Sequence, residues 1–308
     1  MNTESMPRNL VIGQLIATII FWGLNVIFTK YLTAYLTPMG LVTLRLLIST
    51  GILLPAVFLR YGFVRLAPSA WLPIAGVTLC IFLLHHLSLA TGAARTSATH
   101  GVLILGLIPL TTMLLAAGFL KEAMTRAKTI GVVLGFVGIS LIAVSKGNAV
   151  NTSLSGDLLI FAAMLTYAIG TILVKKSTAY ASPLVITAYG MAAASAVLLV
   201  TTFALDLKWV ISQEAYGMGP VAALLFVGGL STGLGTLWWN NGVHHLGAST
   251  TALFFNGVPV VGVVAAILFF REQLLLSHVL ALLLVLAGIS LGSGFSVRKS
   301  QATQASNL

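Results

Sequence analysis

The chain has 308 residues, 58% of them apolar and only 7% charged, with 16 Lys and Arg against 6 Asp and Glu and a single cysteine. A water-soluble domain carries about 25% charged residues, so lipid is the solvent for most of this surface. Cys80 alone excludes an intramolecular disulfide and a cysteine-held metal, and the net charge of +10, spread over helix ends rather than clustered, fits membrane orientation better than a nucleic-acid partner.

An apolar run of about 20 residues crosses a bilayer as a helix. Such runs lie at 10–31, 39–59, 70–91, 97–119, 128–145, 157–175, 183–204, 217–241, 248–270 and 275–295. The first is long enough to span and has no small-residue cleavage site behind it, so it reads as a helix rather than a leader. Connections are short. The longest are Ser145–Gly156 and Asp206–Tyr216, and the first divides the chain into units at 1–147 and 148–308. The expected fold is an all-α integral membrane protein of ten transmembrane helices.

Charge orients it. With the N-terminus inside, the inner segments hold ten cations: Arg8, Arg60, Arg65, Lys121, Arg126, Lys128, Lys175, Lys176, Arg298 and Lys299. The outer ones hold five, Lys30, Arg95, Lys146, Lys208 and Arg271, while Arg45 lies within the second run. This bias and the even helix count put both termini in the cytoplasm.

One passage occurs twice. Gly92, Ala98, Leu103, Pro109, Ala116, Phe119, Glu122, Leu134 and Gly138-Ile139-Ser140-Leu141 recur 150 positions on, without a gap, as Gly242, Ala248, Leu253, Pro259, Ala266, Phe269, Glu272, Leu284 and Gly288-Ile289-Ser290-Leu291. The first helices correspond more weakly at an offset of 145, Trp22 with Tyr167 and Lys30 with Lys175. Five helices per unit is odd, so the second unit enters the membrane inverted. Two inverted five-helix repeats with matched Pro-interrupted spans form the pattern of a carrier with its site near the midplane between the halves.

These features resemble the EamA-type carriers of the drug/metabolite transporter superfamily: ten spans in two halves, a Glu after the fourth helix of each, a following Gly-Ile-Ser-Leu, Phe21-Trp22-Gly23 with Asn25, and Arg45 in the second helix. Within the family the chain looks most similar to bacterial exporters of aromatic and other amino acids. The resemblance implies export of small amphipathic solutes such as amino acids across the bacterial inner membrane, through a cavity lined by helices 1, 3, 4, 6, 8 and 9. A monomer suffices for that.

Polar groups at membrane depth are costly and face a cavity or a partner helix. Trp22 and Asn25 with His85, His86 and His100 are expected to line an outer vestibule, unless they merely sit at the interface. Trp238, Trp239, Asn240 and Asn241 with Phe254, Phe255 and Asn256 are expected to form its inner counterpart, unless they make up an aromatic belt and helix–helix packing. Adjacent Trp238 and Trp239 point about 100° apart, so at most one fully faces a pore. Tyr167 offers a ring face and a hydroxyl at mid-helix. Pro109 and Pro259 each remove a backbone donor and are either hinges or static kinks. Arg45 has three readings: attracting a substrate carboxylate, bonding helix ends, or snorkelling to the surface. Glu122 and Glu272 read as structural, capping or pairing at corners. No Asp or Glu lies in mid-membrane, which argues against cationic substrates exchanged for protons and leaves histidine as the group titrating near neutrality. No Walker motif, phosphate loop, HExxH or nucleophile–base pair occurs, so neither enzyme activity nor a cofactor is expected.

Overall fold

The computed structural model describes residues 6–32, 34–93, 95, 104–145, 153–270 and 276–293. They are almost entirely helical. The helices are α1 (Arg8–Leu32), α2 (Pro38–Tyr61), α3 (Pro68–Val77) continued by a π-helical stretch π1 (Thr78–His85) into α4 (His86–Ala93), α5 (Ile108–Leu120), α6 (Arg126–Ser145), α7 (Leu154–Ser177) and α8 (Pro183–Ala204). Then follow α9 (Met218–Leu225), continued by π2 (Phe226–Leu234) into α10 (Gly235–Leu246), α11 (Ala248–Phe254), α12 (Gly257–Phe270) and α13 (Leu276–Ser293). Among the described residues, six rods are long and apolar enough to cross a membrane: Arg8–Thr29, Pro38–Tyr61, Pro68–Gly92, Leu154–Ser177, Pro183–Ala204 and Met218–Leu246. Ile108–Leu120 and Val279–Gly292 are shorter apolar helices.

Local chemistry sets the starts. Thr37 and Ser182 each cap a helix through a hydroxyl that accepts a backbone N–H, from Gly40 and Val185, and each is followed by Pro at the first helical position. There the missing proline N–H costs nothing. These two starts stand 145 positions apart, the same offset that relates Trp22 to Tyr167. The π stretches also recur at corresponding places, 78–85 and 226–234, in the third helix of each half.

The outer surface is apolar, unlike that of a soluble protein, and the interior mixes apolar and polar side chains. Leu59, Leu72 and Met218 are more than four-fifths exposed on the outside, while the interior collects Thr18, Ser49, Thr187, Asn240 and Arg45. Lipid gives helices no hydrophobic reason to associate, so close backbone contact and interhelical hydrogen bonds take over. The tightest contact joins α6 to α13. A Cβ on Gly131 would lie 2.5 Å from the Gly288 carbonyl, and one on Gly138 would lie 3.0 Å from that of Ala281. Position rises on one helix as it falls on the other, so α6 and α13 are antiparallel. The 150-residue shift carries Gly131 to Ala281 and Gly138 to Gly288, so it exchanges these two contacts.

The connections gather at two ends. At one end, Thr37 donates through Oγ to the Lys208 carbonyl at 2.8 Å, and Leu36 bridges Val210. At the other, Glu122 meets Ala248 and Ser249, Lys175 donates to the His244 carbonyl at 2.6 Å, and the Tyr189 hydroxyl donates to the Val64 carbonyl at 3.2 Å.

Gly131→Ala forces a methyl against the Gly288 carbonyl. Overpacking of this kind costs about 1–3 kcal/mol, so the variant is expected to melt several degrees below the parent in detergent. Gly118→Ala, where nothing lies within 4 Å, is expected to melt like the parent. Equal melting of both variants removes the Gly131–Gly288 contact as a stabilising element.

Candidate functional site

Four rings meet in the interior, each from a different element: Trp22 on α1, Tyr167 on α7, Trp239 on α10 and Phe255 at the break between α11 and α12. Every pair is in contact. Centroid separations are 4.9 Å for Trp22–Trp239, 5.8 Å for Tyr167–Phe255, 5.9 Å for Trp22–Phe255, 6.0 Å for Trp239–Phe255, 6.2 Å for Trp22–Tyr167 and 6.3 Å for Tyr167–Trp239. All six separations fall within the range for favourable tilted and edge-on pairs. His85, at the end of π1, adds a fifth ring 4.8 Å from Tyr167, and His86 lies 5.2 Å from His85. The His85 Nδ1 is 2.9 Å from the Ala163 carbonyl. A carbonyl only accepts, so neutral His85 carries its proton on Nδ1 and presents Nε2 as an acceptor.

The polar frame around the rings is built on π2. Two backbone carbonyls of this stretch accept side chains from α1 and α2: Trp22 Nε1 donates to Ser231 at 3.0 Å and Ser49 Oγ donates to Gly228 at 2.6 Å. Arg45 donates through Nε to Thr232 Oγ at 2.9 Å and through Nη2 to Asn25 Oδ1 at 3.1 Å. Glycine is needed at 228, because a Cβ there would lie 2.8 Å from the Ile48 side chain and 3.1 Å from the Arg45 carbonyl. The Ser231 hydroxyl and Trp239 Nε1 are buried without partners among the described residues.

The EamA-like transporter model matches this chain twice, over residues 9–144 and 154–293. The chain belongs to the EamA-like transporter family. It is 32% identical over 206 residues to the uncharacterized transporter YyaM of Bacillus subtilis (strain 168), covering 66% of this chain and 67% of that one. It is 28% identical over 291 residues to YvbV of the same organism, an uncharacterized transporter, covering 94% and 93%. A probable amino-acid metabolite efflux pump of Salmonella typhimurium is 26% identical over 294 residues, covering 92% and 94%. A solved crystal structure superposes with a TM-score of 0.77 at 15% identity, over 96% of this chain and all of that one, which shows a shared fold.

Within this EamA-like transporter the expected residues separate. Trp22, Tyr167, Trp239 and His85 converge, with His86 beside them and Asn25 one turn from Trp22. Trp238 turns the other way and stacks on Phe21 at 5.7 Å. Asn240 is fully buried and donates to Thr187 Oγ on α8 at 2.8 Å. Asn256 is 1% exposed, has no amide partner among the described residues, and fills the space a Cβ on Gly135 would need. His100 lies outside the described residues. Pro109 and Pro259 sit in the first turn of α5 and α12, just after breaks at 106–107 and 255–256, so each opens a new helical segment instead of bending a continuous one. Ser231 and Thr232 were not singled out from the sequence. Their signal was the small-residue run Gly228-Gly229-Leu230-Ser231-Thr232-Gly233.

The corner Glu122 caps the start of α11. Its two oxygens accept the N–H groups of Ala248 at 2.8 Å and Ser249 at 3.0 Å, the first donors of α11, where a negative charge also suits the helix dipole. Gly247, at φ +87°, lets the chain turn there, and a Cβ would lie 2.9 Å from the Glu122 carboxylate. The counterpart, Glu272 with Ala98 and Thr99, lies outside the described residues.

Burial pushes the Glu122 pKa up, but the hydrogen bonds from Ser249 and Ala248 and the charge of Lys128 outweigh it, so the net direction is down from 4.5. A depressed folded-state pKa stabilises above the unfolded value and loses that contribution as pH falls through the folded value. Glu122→Gln is therefore expected to melt lower than the parent at pH 7, by about 2 kcal/mol for charge-assisted bonds. The gap is expected to shrink as pH falls below 4.5. A gap independent of pH removes the carboxylate from this role.

Proposed function

We propose that this EamA-like transporter exports small amphipathic metabolites, amino acids among them, across the bacterial inner membrane by alternating access. The observation that carries the reading is the four-ring cluster at the meeting of α1, α7, α10 and the α11–α12 break. Broken helices beside a midplane site are the architecture of secondary transporters. A ring-lined, neutral hydrogen-bonding interior suits a solute with both an apolar body and polar groups. The name of the Salmonella typhimurium relative speaks for amino-acid metabolites.

The same proposal includes ten spans in two inverted five-helix halves, 1–147 and 148–308, with both termini cytoplasmic and a monomer as the working unit. The antiparallel α6–α13 contact, exchanged with itself by the 150-residue shift, supports the inversion. Trp22, Asn25, His85, His86, Tyr167 and Trp239 are proposed to meet the solute, with His100, Trp238, Asn240 and Asn256 further along its path and the breaks before Pro109 and Pro259 as hinges. No enzyme activity, cofactor, metal or nucleic acid enters the proposal. A facilitator without ion coupling is the second reading, favoured by the lack of any Asp or Glu in the middle of an apolar run.

Two measurements check this. In proteoliposomes loaded with labelled amino acids, Trp22→Ala, Tyr167→Ala and Trp239→Ala are each expected to slow efflux roughly five-fold, since a ring contact is worth about 1 kcal/mol. Parental rates in all three overturn the site. For topology, Lys128→Cys and Lys208→Cys are made in a Cys80→Ala chain and treated with an impermeant thiol reagent on whole cells. Lys208→Cys is expected to react at once and Lys128→Cys only after permeabilisation. Reaction of both from the same side overturns the arrangement.

A further inference from the structure

We infer that Arg45 holds a carboxylate of the transported solute, so that the site takes organic acids and zwitterions in preference to amines of the same shape. This rests on the transport reading above and narrows its substrate class.

Arg45 is 7% exposed. A buried guanidinium ordinarily sits against a carboxylate, because removing it from water without a counter-charge is costly. Here both acceptors, Thr232 Oγ and Asn25 Oδ1, are neutral. The acids are elsewhere. Glu122 caps α11, Asp157 lies in the first turn of α7, and Asp206 and Glu214 belong to the connection between α8 and α9. Glu4 and Glu272 lie outside the described residues, in the tail and just past the 248–270 run. The cation is thus at membrane depth with no counter-charge among the described residues.

The two neutral bonds also orient it. Nε and Nη2 form one edge of the guanidinium, and both of its bonds leave from that edge. Nη1 and the second Nη2 hydrogen find no acceptor among the described residues. This is the end-on pair of donors that matches the two oxygens of a carboxylate. Arg45 is connected to the rings on both sides: Asn25 follows Trp22 by one helical turn, and Thr232 follows Ser231, whose carbonyl accepts from Trp22. Ser231 adds a buried hydroxyl without a partner among the described residues. A solute whose carboxylate sits on Arg45 therefore has its body beside Trp22 and the rest of the cluster. A cleft of about 390 Å³ bounded by Met39, Leu87, Thr91 and Lys208 lies about two turns from Arg45 along α2.

Three probes of similar size test this: L-phenylalanine, phenylpyruvate with no amine, and phenethylamine with no carboxylate. Binding is read by quenching of intrinsic tryptophan fluorescence in the purified chain, and flux in proteoliposomes. The wild-type chain is expected to bind and carry both carboxylates at least ten-fold better than phenethylamine. Arg45→Gln is expected to weaken both carboxylates ten-fold or more and leave phenethylamine unchanged, with Arg45→Lys in between. If Arg45 only ties α1 to π2, the variant weakens all three probes alike, and the inference is overturned. Phenethylamine binding as tightly as phenylpyruvate to the wild-type chain overturns it as well, a result that stands even if Arg45→Gln does not fold. Flux without preference for carboxylates leaves the transport reading intact and removes this inference alone. Absence of flux for every probe removes both.

Discussion

A polar group inside an apolar bundle has no water to turn to, so its hydrogen bonds must be found on another helix. In this chain that constraint concentrates at π2. In the widened turn at 226–234 the carbonyls of Gly228 and Ser231 accept from Ser49 and Trp22, and the Thr232 side chain receives Arg45. The glycines of this stretch let α2 approach close enough for the bonds to form. One local change of helix type thereby docks α1 and α2 and aims the Trp22 ring inward. The polar frame depends on π2, and the ring cluster depends on that frame.

The two halves use this constraint in related ways. π1 occupies the corresponding stretch of the first half and places His85 against the Ala163 carbonyl and the Tyr167 ring. The pseudo-symmetry is most visible where backbones touch. The Gly131–Gly288 and Gly138–Ala281 contacts are images of each other under the repeat shift, so one duplicated helix supplies both sides of the interface. Such an interface is built from small residues and carbonyls and needs no special fit of large side chains, so it joins two helices that differ at most other positions.

Charge is kept to the ends of the bundle with one exception. Glu122 works at a corner, where it satisfies two orphan N–H groups of α11 and where water and Lys128 moderate the cost of its charge. Arg45 sits inside. Its partners are the Asn25 amide and the Thr232 hydroxyl, each able to accept a bond without neutralising it. That asymmetry, a cation retained where no acid among the described residues accompanies it, is the main electrostatic feature of the interior.

Composition, run length and the 150-residue repeat determined by themselves that the chain is helical, lives in lipid and is built of related halves, because a bilayer imposes a span length and duplication leaves Pro, Glu and Gly-Ile-Ser-Leu in register. The likeness of Trp22 to Tyr167 and the interest of Trp239 and His85 were legible in the same way, as costly side chains at membrane depth. Tertiary structure alone decided that Trp239 joins the cluster while Trp238 stacks on Phe21, that Asn240 is taken by Thr187 and Asn256 by the space over Gly135, and that the prolines start helical segments instead of bending them. The chain is 58% apolar overall, so most of its spans carry little periodic contrast to tell a lipid face from an inner face. Only the packing of one helix on another assigns each side chain its direction. The π turns were invisible for a related reason: they change the backbone hydrogen-bond register inside a continuous apolar run, and no local propensity records that.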